Sequence, residues 1–296
     1  MAGEYCAACG QRVFVDADRR FGHLLGEFFR AATDLDGRFW RSIGALLFQP
    51  GRIARDYIAG ARARWMSPIS LFLVVNLLYF LVPTLTDLSL PLHNQIRGNV
   101  YREFAPALCE VRETAGLCGT TGQLHSPLTE PLVRQRLQAE RDRATAAGRT
   151  FSIERFGQRY DARSAEIGKL LVILHAPFMA LALMLVAWKR RRYFAEHFVV
   201  ALGMLSFLLL LPPLVLRPMA VLANAFPAFW QPWMRPWIEL GLVALILWCF
   251  ASTCRRCYDS RWWVAIGQGV AVFSAFALSS LVVYRAVQFV LTLWLM

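Results

Sequence analysis

Five long apolar stretches carry almost no internal charge: Ile69–Leu85, Ile167–Trp188, Phe198–Leu216, Trp237–Ala251 and Val264–Tyr284. A hydrocarbon core of ~30 Å takes about 20 helical residues, and each stretch meets or approaches that length. Backbone groups inside lipid must satisfy one another, which leaves helices as the form for such segments. A water-soluble chain distributes its apolar residues with helix or strand periodicity and does not collect them into unbroken blocks. The expected fold class is therefore all-α: a polytopic membrane protein of about five transmembrane helices. A cytoplasmic amphipathic-helix head and a small, mainly helical extracytoplasmic domain complete it. The chain divides into a head (1–66), a first span (67–86), an outer domain (87–166) and a bundle of four further spans with short loops (167–296).

Charge sets the expected orientation. Lys189, Arg190, Arg191 and Arg192 follow the second block, and Arg255, Arg256 and Arg261 separate the fourth from the fifth. The loop from Arg217 to Pro236 is poorer in Arg and rich in Pro, Trp and Phe. Cytoplasmic loops carry the excess of Lys and Arg, so the N-terminus is expected inside and the C-terminus outside. Arg52, Arg55, Arg62 and Arg64 beside the first block agree. Trp65, Trp188, Trp233, Trp237, Trp262 and Trp263 fall near the expected membrane edges, the depth that amphipathic rings prefer. Met1–Arg20 is polar and lacks the apolar core of a signal peptide, so the first apolar block is expected to act as an uncleaved insertion signal. The tail Ala286–Met296 is apolar and reads either as an extension of the last helix or as an interfacial segment.

The formal charge is +12. Its arginines cluster beside apolar blocks, which points to anionic phospholipid and not to nucleic acid. The head repeats that signature. Phe21, Leu24, Leu25, Phe28, Phe29 and Ala32, then Phe39, Trp40, Ile43, Leu46 and Leu47, follow helical spacing. Pro50-Gly51 breaks the pattern, and a helix over Arg52–Trp65 is expected to carry Arg52, Arg55, Ala59 and Arg62 on one face. Such helices lie in the headgroup layer, or pack beneath the bundle, or do both.

The run Leu46–Arg52, then Asp56-Tyr57-Ile58-Ala59-Gly60, then Arg62, Arg64 and Pro68, reads LLxxPGRxxxDYIxGxRxRxxxP. Upstream stands Tyr5-Cys6-Ala7-Ala8-Cys9-Gly10-Gln11. The pair resembles an uncharacterised bacterial family of integral membrane proteins, a domain of unknown function with a zinc-ribbon-like CxxCGQ element. The resemblance covers Tyr5–Phe80, about a quarter of the chain. It implies a bacterial inner-membrane protein and no particular activity. Members often carry two successive CxxC knuckles, and only one stands at this N-terminus.

The seven cysteines sort by expected compartment. Cys6, Cys9, Cys254 and Cys257 fall inside and form two C-x-x-C pairs. Together they meet the stoichiometry of a tetrahedral zinc site, or they are free thiols. Cys109 and Cys118 fall outside, where disulfides persist. Closing so short a loop would stabilise the outer domain by roughly 2.5–3 kcal/mol in the chain-entropy account. Cys249 reads as a small apolar residue of the fourth span.

Polar residues inside spans are Asn76, His175, Glu239, Gln268 and Arg285, and each is expensive there. His175 precedes Pro177, and it could ligate metal, relay a proton or bond another helix. Glu239 and Arg285 could clasp two helix ends. In the outer domain Pro131 suits a first helical turn, Arg136, Glu140 and Arg143 are spaced for ion pairs, and Gly148 ends the run. No nucleotide loop, HExxH or GxSxG occurs in the sequence, so the chain reads as non-enzymatic. The first reading is a scaffold or sensor that engages anionic lipid or a protein partner through Arg52, Arg55, Tyr57, Gly60, Arg62 and Arg64. A small transporter or permease subunit lined by Asn76, His175 and Gln268 is the alternative, and a lipid-headgroup-modifying enzyme is the third.

Overall fold

A computed structural model describes residues 37–81, 90–106, 109, 123–190, 193–226, 231 and 233–296. The first amphipathic stretch, Cys6, Cys9 and Cys118 lie outside the described residues. Those described are helical or irregular, with no strand among them. Four helices are long and apolar enough to cross a membrane: Ile153–Val186, Phe194–Ala225, Met234–Tyr258 and Trp262–Leu295. A shorter apolar helix, Pro68–Phe80, falls within the first expected span, whose residues 82–85 lie outside the described ones. The chain is thus an all-helical protein with membrane-spanning character, and its helices sort into two compact units.

The first unit comprises Met1–Leu85 and Ala176–Phe276. It opens with α1 (Gly37–Phe48), α2 (Arg52–Ile58) and α3 (Pro68–Leu81). It continues through most of α8 (His175–Val186), α9 (Phe194–Leu211) and α10 (Arg217–Ala225). Then come α11 (Met234–Tyr258) and most of α12 (Trp262–Leu278). The helix that begins with α9 is the most enclosed. Of its apolar window 56% is buried within the chain, against 22–33% for the other three. It is the centre against which α3, α2, α1 and α11 pack. Phe72, Val75, Val200, Ala201, Leu205 and Phe250 form that interior. Outward-facing Leu181, Leu185, Val243, Trp248, Ile266 and Val270 are exposed. Water would penalise such a surface, but lipid tails do not. Close helix approach is built on small residues. A Cβ on Gly269 would stand 2.9 Å from the Ala251 nitrogen, so α12 lies directly on α11 there.

Two departures from a regular α-helix have local causes. Pro212 and Pro213 lack amide donors, and the chain widens into a π-turn over Pro212–Leu216 between α9 and α10. A second π-turn, Ser279–Tyr284, follows α12.

The second unit comprises Thr86–His175 and Ala277–Met296. Its helices are α4 (Leu92–Gln95), α5 (Gly98–Phe104), α6 (Ser126–Ala146), α7 (Ile153–Leu171) and α13 (Arg285–Leu295). The tail is therefore helical and follows α12 through the π-turn. Phe289 and Leu293 are fully buried among Leu92, Val133, Leu137, Phe156 and Tyr160. Polar groups lock α13 to α7. Gln288 Nε2 donates to the Ser164 carbonyl at 3.0 Å, and the Tyr284 hydroxyl donates to the Gly168 carbonyl at 3.1 Å. Gly168 leaves no room for more, since a Cβ there would meet Gln288 Nε2 at 2.8 Å.

Three local expectations need correction. Helix α2 ends at Ile58, seven residues before the expected Trp65. Helix α6 starts at Ser126 with Pro127 in its first turn, so Pro131 falls inside it. Arg136 does not pair with Glu140. It donates to the Trp294 carbonyl at 3.3 Å, and Glu140 pairs with Arg159 at 2.8 Å. The expected stop at Gly148 holds: its N–H bonds Thr145 and the Arg149 N–H bonds Ala144. Ser152 caps α7 by accepting from the Arg155 N–H.

Candidate functional site

The block singled out in the sequence folds around a tight turn. Gly51 holds φ of +82°, and a Cβ there would stand 2.8 Å from Thr253 Cα. Only glycine allows both the conformation and the approach. The turn sits on the last two turns of α11. Arg256 Nη1 donates to the Pro50 carbonyl at 2.6 Å, and the Cys257 thiol reaches the Gly51 carbonyl at 3.4 Å. Pro50 is buried, so its carbonyl needs a partner, and a charged donor is a strong one. The Pro50-Gly51 turn and the Cys254-Arg255-Arg256-Cys257 run are thus two halves of one joint.

Helix α2 leaves this joint and closes on a Schellman motif. The Ala61 N–H bonds the Asp56 carbonyl at 2.9 Å, and the Gly60 N–H bonds the Tyr57 carbonyl at 3.1 Å, with Gly60 at φ of +91°. That cap is why Arg62 does not continue the face of Arg52 and Arg55. The chain turns back, and Arg62 stacks on the Tyr57 ring at 4.8 Å. Asp56 organises the interior of the loop. It accepts from the buried Trp65 indole at 2.8 Å and lies 3.8 Å from Arg52 Nε. Arg52 also bonds Gln49. Arg52 and Arg64 both lie over the Trp65 ring, at 5.6 and 5.0 Å. Ser42 Oγ accepts from the Met66 N–H, tying the loop to α1. Ser67 then caps α3 by accepting from Ser70 N, with Pro68 as its first residue.

The outcome is a hydrogen-bonded loop with an asymmetric charge distribution. Of the four arginines, Asp56 pairs with Arg52. Arg55, Arg62 and Arg64 are exposed and pair with no carboxylate among the described residues. Helix α1 has a similar asymmetry. It buries Phe39, Ser42, Ala45 and Leu46, yet leaves Trp40 65% and Phe48 79% exposed.

The remaining candidates are dispersed. Asn76 Oδ1 and Gln268 Oε1 are buried without a hydrogen-bond partner among the described residues, while Gln268 Nε2 caps the Val186 carbonyl at 3.2 Å. His175 belongs to the second unit. Its Nδ1 donates to the Val172 carbonyl at 2.9 Å and its ring lies 4.9 Å from that of Tyr284. Glu239 takes Arg235 at 2.9 Å, and Arg285 donates to Gln123 Oε1 at 2.7 Å, so each has a partner other than the expected clasp. Cys254 and Cys257 are both buried. They offer half of a tetrahedral zinc set. Among the described residues no three His, Cys, Asp or Glu side chains come together. Cys109 is disulfide-bonded. The expected partner, Cys118, lies outside the described residues.

Two histidines carry more than the sequence suggested. His197 Nδ1 lies 2.7 Å from the Tyr258 hydroxyl, with the two rings stacked and both residues buried. His125 is buried against Phe289, with Nδ1 3.4 Å from Thr129 Oγ1. Burial first, and Arg285 second, hold its pKa below the usual histidine value. Thr129 is four residues from His125 on the same helix, but helical spacing gives no hint of Tyr258 or Phe289, which come from distant helices.

Residues 36–80 match a family model described as Protein of unknown function (DUF3667). The match spans α1, α2, the capped loop and nearly all of α3, which is the block described above. No curated protein and no solved structure matches the chain.

Proposed function

We propose that the chain is a multi-pass inner-membrane scaffold or sensor, not an enzyme, whose capped basic loop engages anionic lipid headgroups. One observation carries this reading: Arg55, Arg62 and Arg64 stand exposed on a loop whose shape is fixed by Gly51, Gly60, Asp56 and Trp65. Arginines kept only for topology need no such fixed frame. Trp40 and Phe48, exposed on α1, supply the apolar insertion that an interfacial helix needs. The loop runs directly into Pro68, the start of the first span in a five-span reading.

The two units support the orientation read from charge. Pro50 and Arg256 share the first unit, which favours a cytoplasmic face for head and Arg-rich loop together. Helix α13 shares the second unit with residues 90–175, which favours one periplasmic face for the C-terminus and the outer domain. Within that domain we assign the disulfide to Cys109 and Cys118. Zinc shared by Cys6, Cys9, Cys254 and Cys257 rests on spacing alone. The Cys257 contact to Gly51 favours the thiol form, and metal analysis of purified protein separates the two.

The test uses the full chain in nanodiscs of mixed phosphatidylglycerol and phosphatidylcholine, with local lipid enrichment read by energy transfer. Each basic residue near an anionic surface contributes about 1 kcal/mol, so Arg55→Gln with Arg62→Gln should weaken phosphatidylglycerol enrichment by roughly thirtyfold. The loss should shrink as salt rises. Unchanged enrichment in the double variant would end the proposal.

A transporter or permease subunit is the second reading. The unpartnered Asn76 Oδ1 and Gln268 Oε1 favour it, since buried polar atoms in a membrane line paths more often than they are left idle. Their separate replacement by Leu should then abolish solute flux in proteoliposomes.

A further inference from the structure

In the second unit, α6 and α7 leave a cavity of about 520 Å³ between the end of one helix and the start of the other. That is the size of a small-molecule site. Its walls carry three guanidiniums, Arg149, Arg155 and Arg159, and one carboxylate, Glu140. Glu140 is taken by Arg159 at 2.8 Å. The side chains of Arg149 and Arg155 have no partner among the described residues. Arg149 is held in place by the turn that closes α6, where its N–H bonds the Ala144 carbonyl. Arg155 and Arg159 stand four residues apart on α7, a like-charge pair that destabilises a helix on its own. Phe151 lines the same cavity and packs edge-on against Phe104 at 6.3 Å, so the apolar part of the wall is anchored in the core of the unit.

We propose that this cavity binds a small, soluble organic oxyanion, of the phosphate monoester class, with its charge between Arg149 and Arg155 and its apolar body on Phe151. Planar guanidiniums match the paired oxygens of such a group, and two of them from separate segments fix its direction. A bound anion also removes the repulsion between Arg155 and Arg159. Arg155 lies about 18 Å along α7 from Ile167, where the apolar run begins, which places the cavity beyond the headgroup layer. The proposal is independent of the lipid-binding loop on the head.

The experiment titrates phenyl phosphate into the full-length protein in phosphatidylcholine nanodiscs, followed by isothermal titration calorimetry, with benzyl alcohol as the uncharged control. Saturable binding of phenyl phosphate alone is expected. Arg149→Gln with Arg155→Gln should weaken it by roughly tenfold or more. Glu140→Gln should tighten it, because Arg159 is released and the one opposing charge is gone. A structural role for the arginines would not produce that gain. Nanodiscs containing phosphatidylglycerol should leave the affinity unchanged. Equal binding of benzyl alcohol, an unaltered affinity in the double arginine variant, absence of saturable binding, or competition by phosphatidylglycerol would each overturn the proposal.

Discussion

Gly51 and Gly60 both hold positive φ, but for different reasons, and the difference is measurable. At Gly60 a Cβ meets open space, so alanine there should cost only the left-handed strain of about 1–2 kcal/mol. At Gly51 the same strain adds to a clash with the α11 backbone at Thr253. Gly51→Ala should therefore lower the thermal midpoint of the detergent-solubilised protein clearly more than Gly60→Ala, as read by tryptophan fluorescence. Equal midpoints would remove the tight joint. His125 supplies a pH signature. Its folded pKa is depressed, so the unfolded chain binds the proton more readily. The neutral ring's contribution is full above the ordinary histidine value of 6.5 and is lost as pH falls below it. Hydrogen-exchange protection factors in the first turns of α6 should fall below that pH, and His125→Gln should flatten the dependence.

At the scale of elements, the sequence was clear wherever a segment's fate is decided by its own residues. The described parts of the apolar blocks are helical, and Gly148 ends α6. Length was less clear. The expected helix Arg52–Trp65 ignored what Gly60 does once its N–H and that of Ala61 find the Tyr57 and Asp56 carbonyls. Pairings across the chain were not legible. Pro50 and Arg256 lie 206 residues apart, and nothing in either local pattern names the other. Helix contacts give a direct check. Gly269 touches the Ala251 backbone, whereas a Cβ at Gly267 has nothing within 4 Å. Gly269→Leu should abolish the monodisperse folded species on size exclusion, and Gly267→Leu, which faces the lipid side, should leave it intact.

At the scale of the whole molecule, the proposed reading sets the basic loop against lipid. Orientation comes first. Reporters fused after Arg192 and after Pro227 should read cytoplasm and periplasm respectively. The reverse would overturn every compartment assignment, including that of the cysteines. Aromatic exposure then gives the sharper prediction, since Trp40 and Phe48 are exposed among the described residues while Leu46 on the same helix is buried. The most direct measurement places a photo-crosslinking benzoylphenylalanine at position 40, 46 or 48 of the full-length protein in native membranes and reads the adducts by mass. Lipid contact at this loop predicts phospholipid adducts at 40 and 48 and none at 46. Absence of lipid adducts at 40 and 48, or capture of a protein there instead, would contradict it.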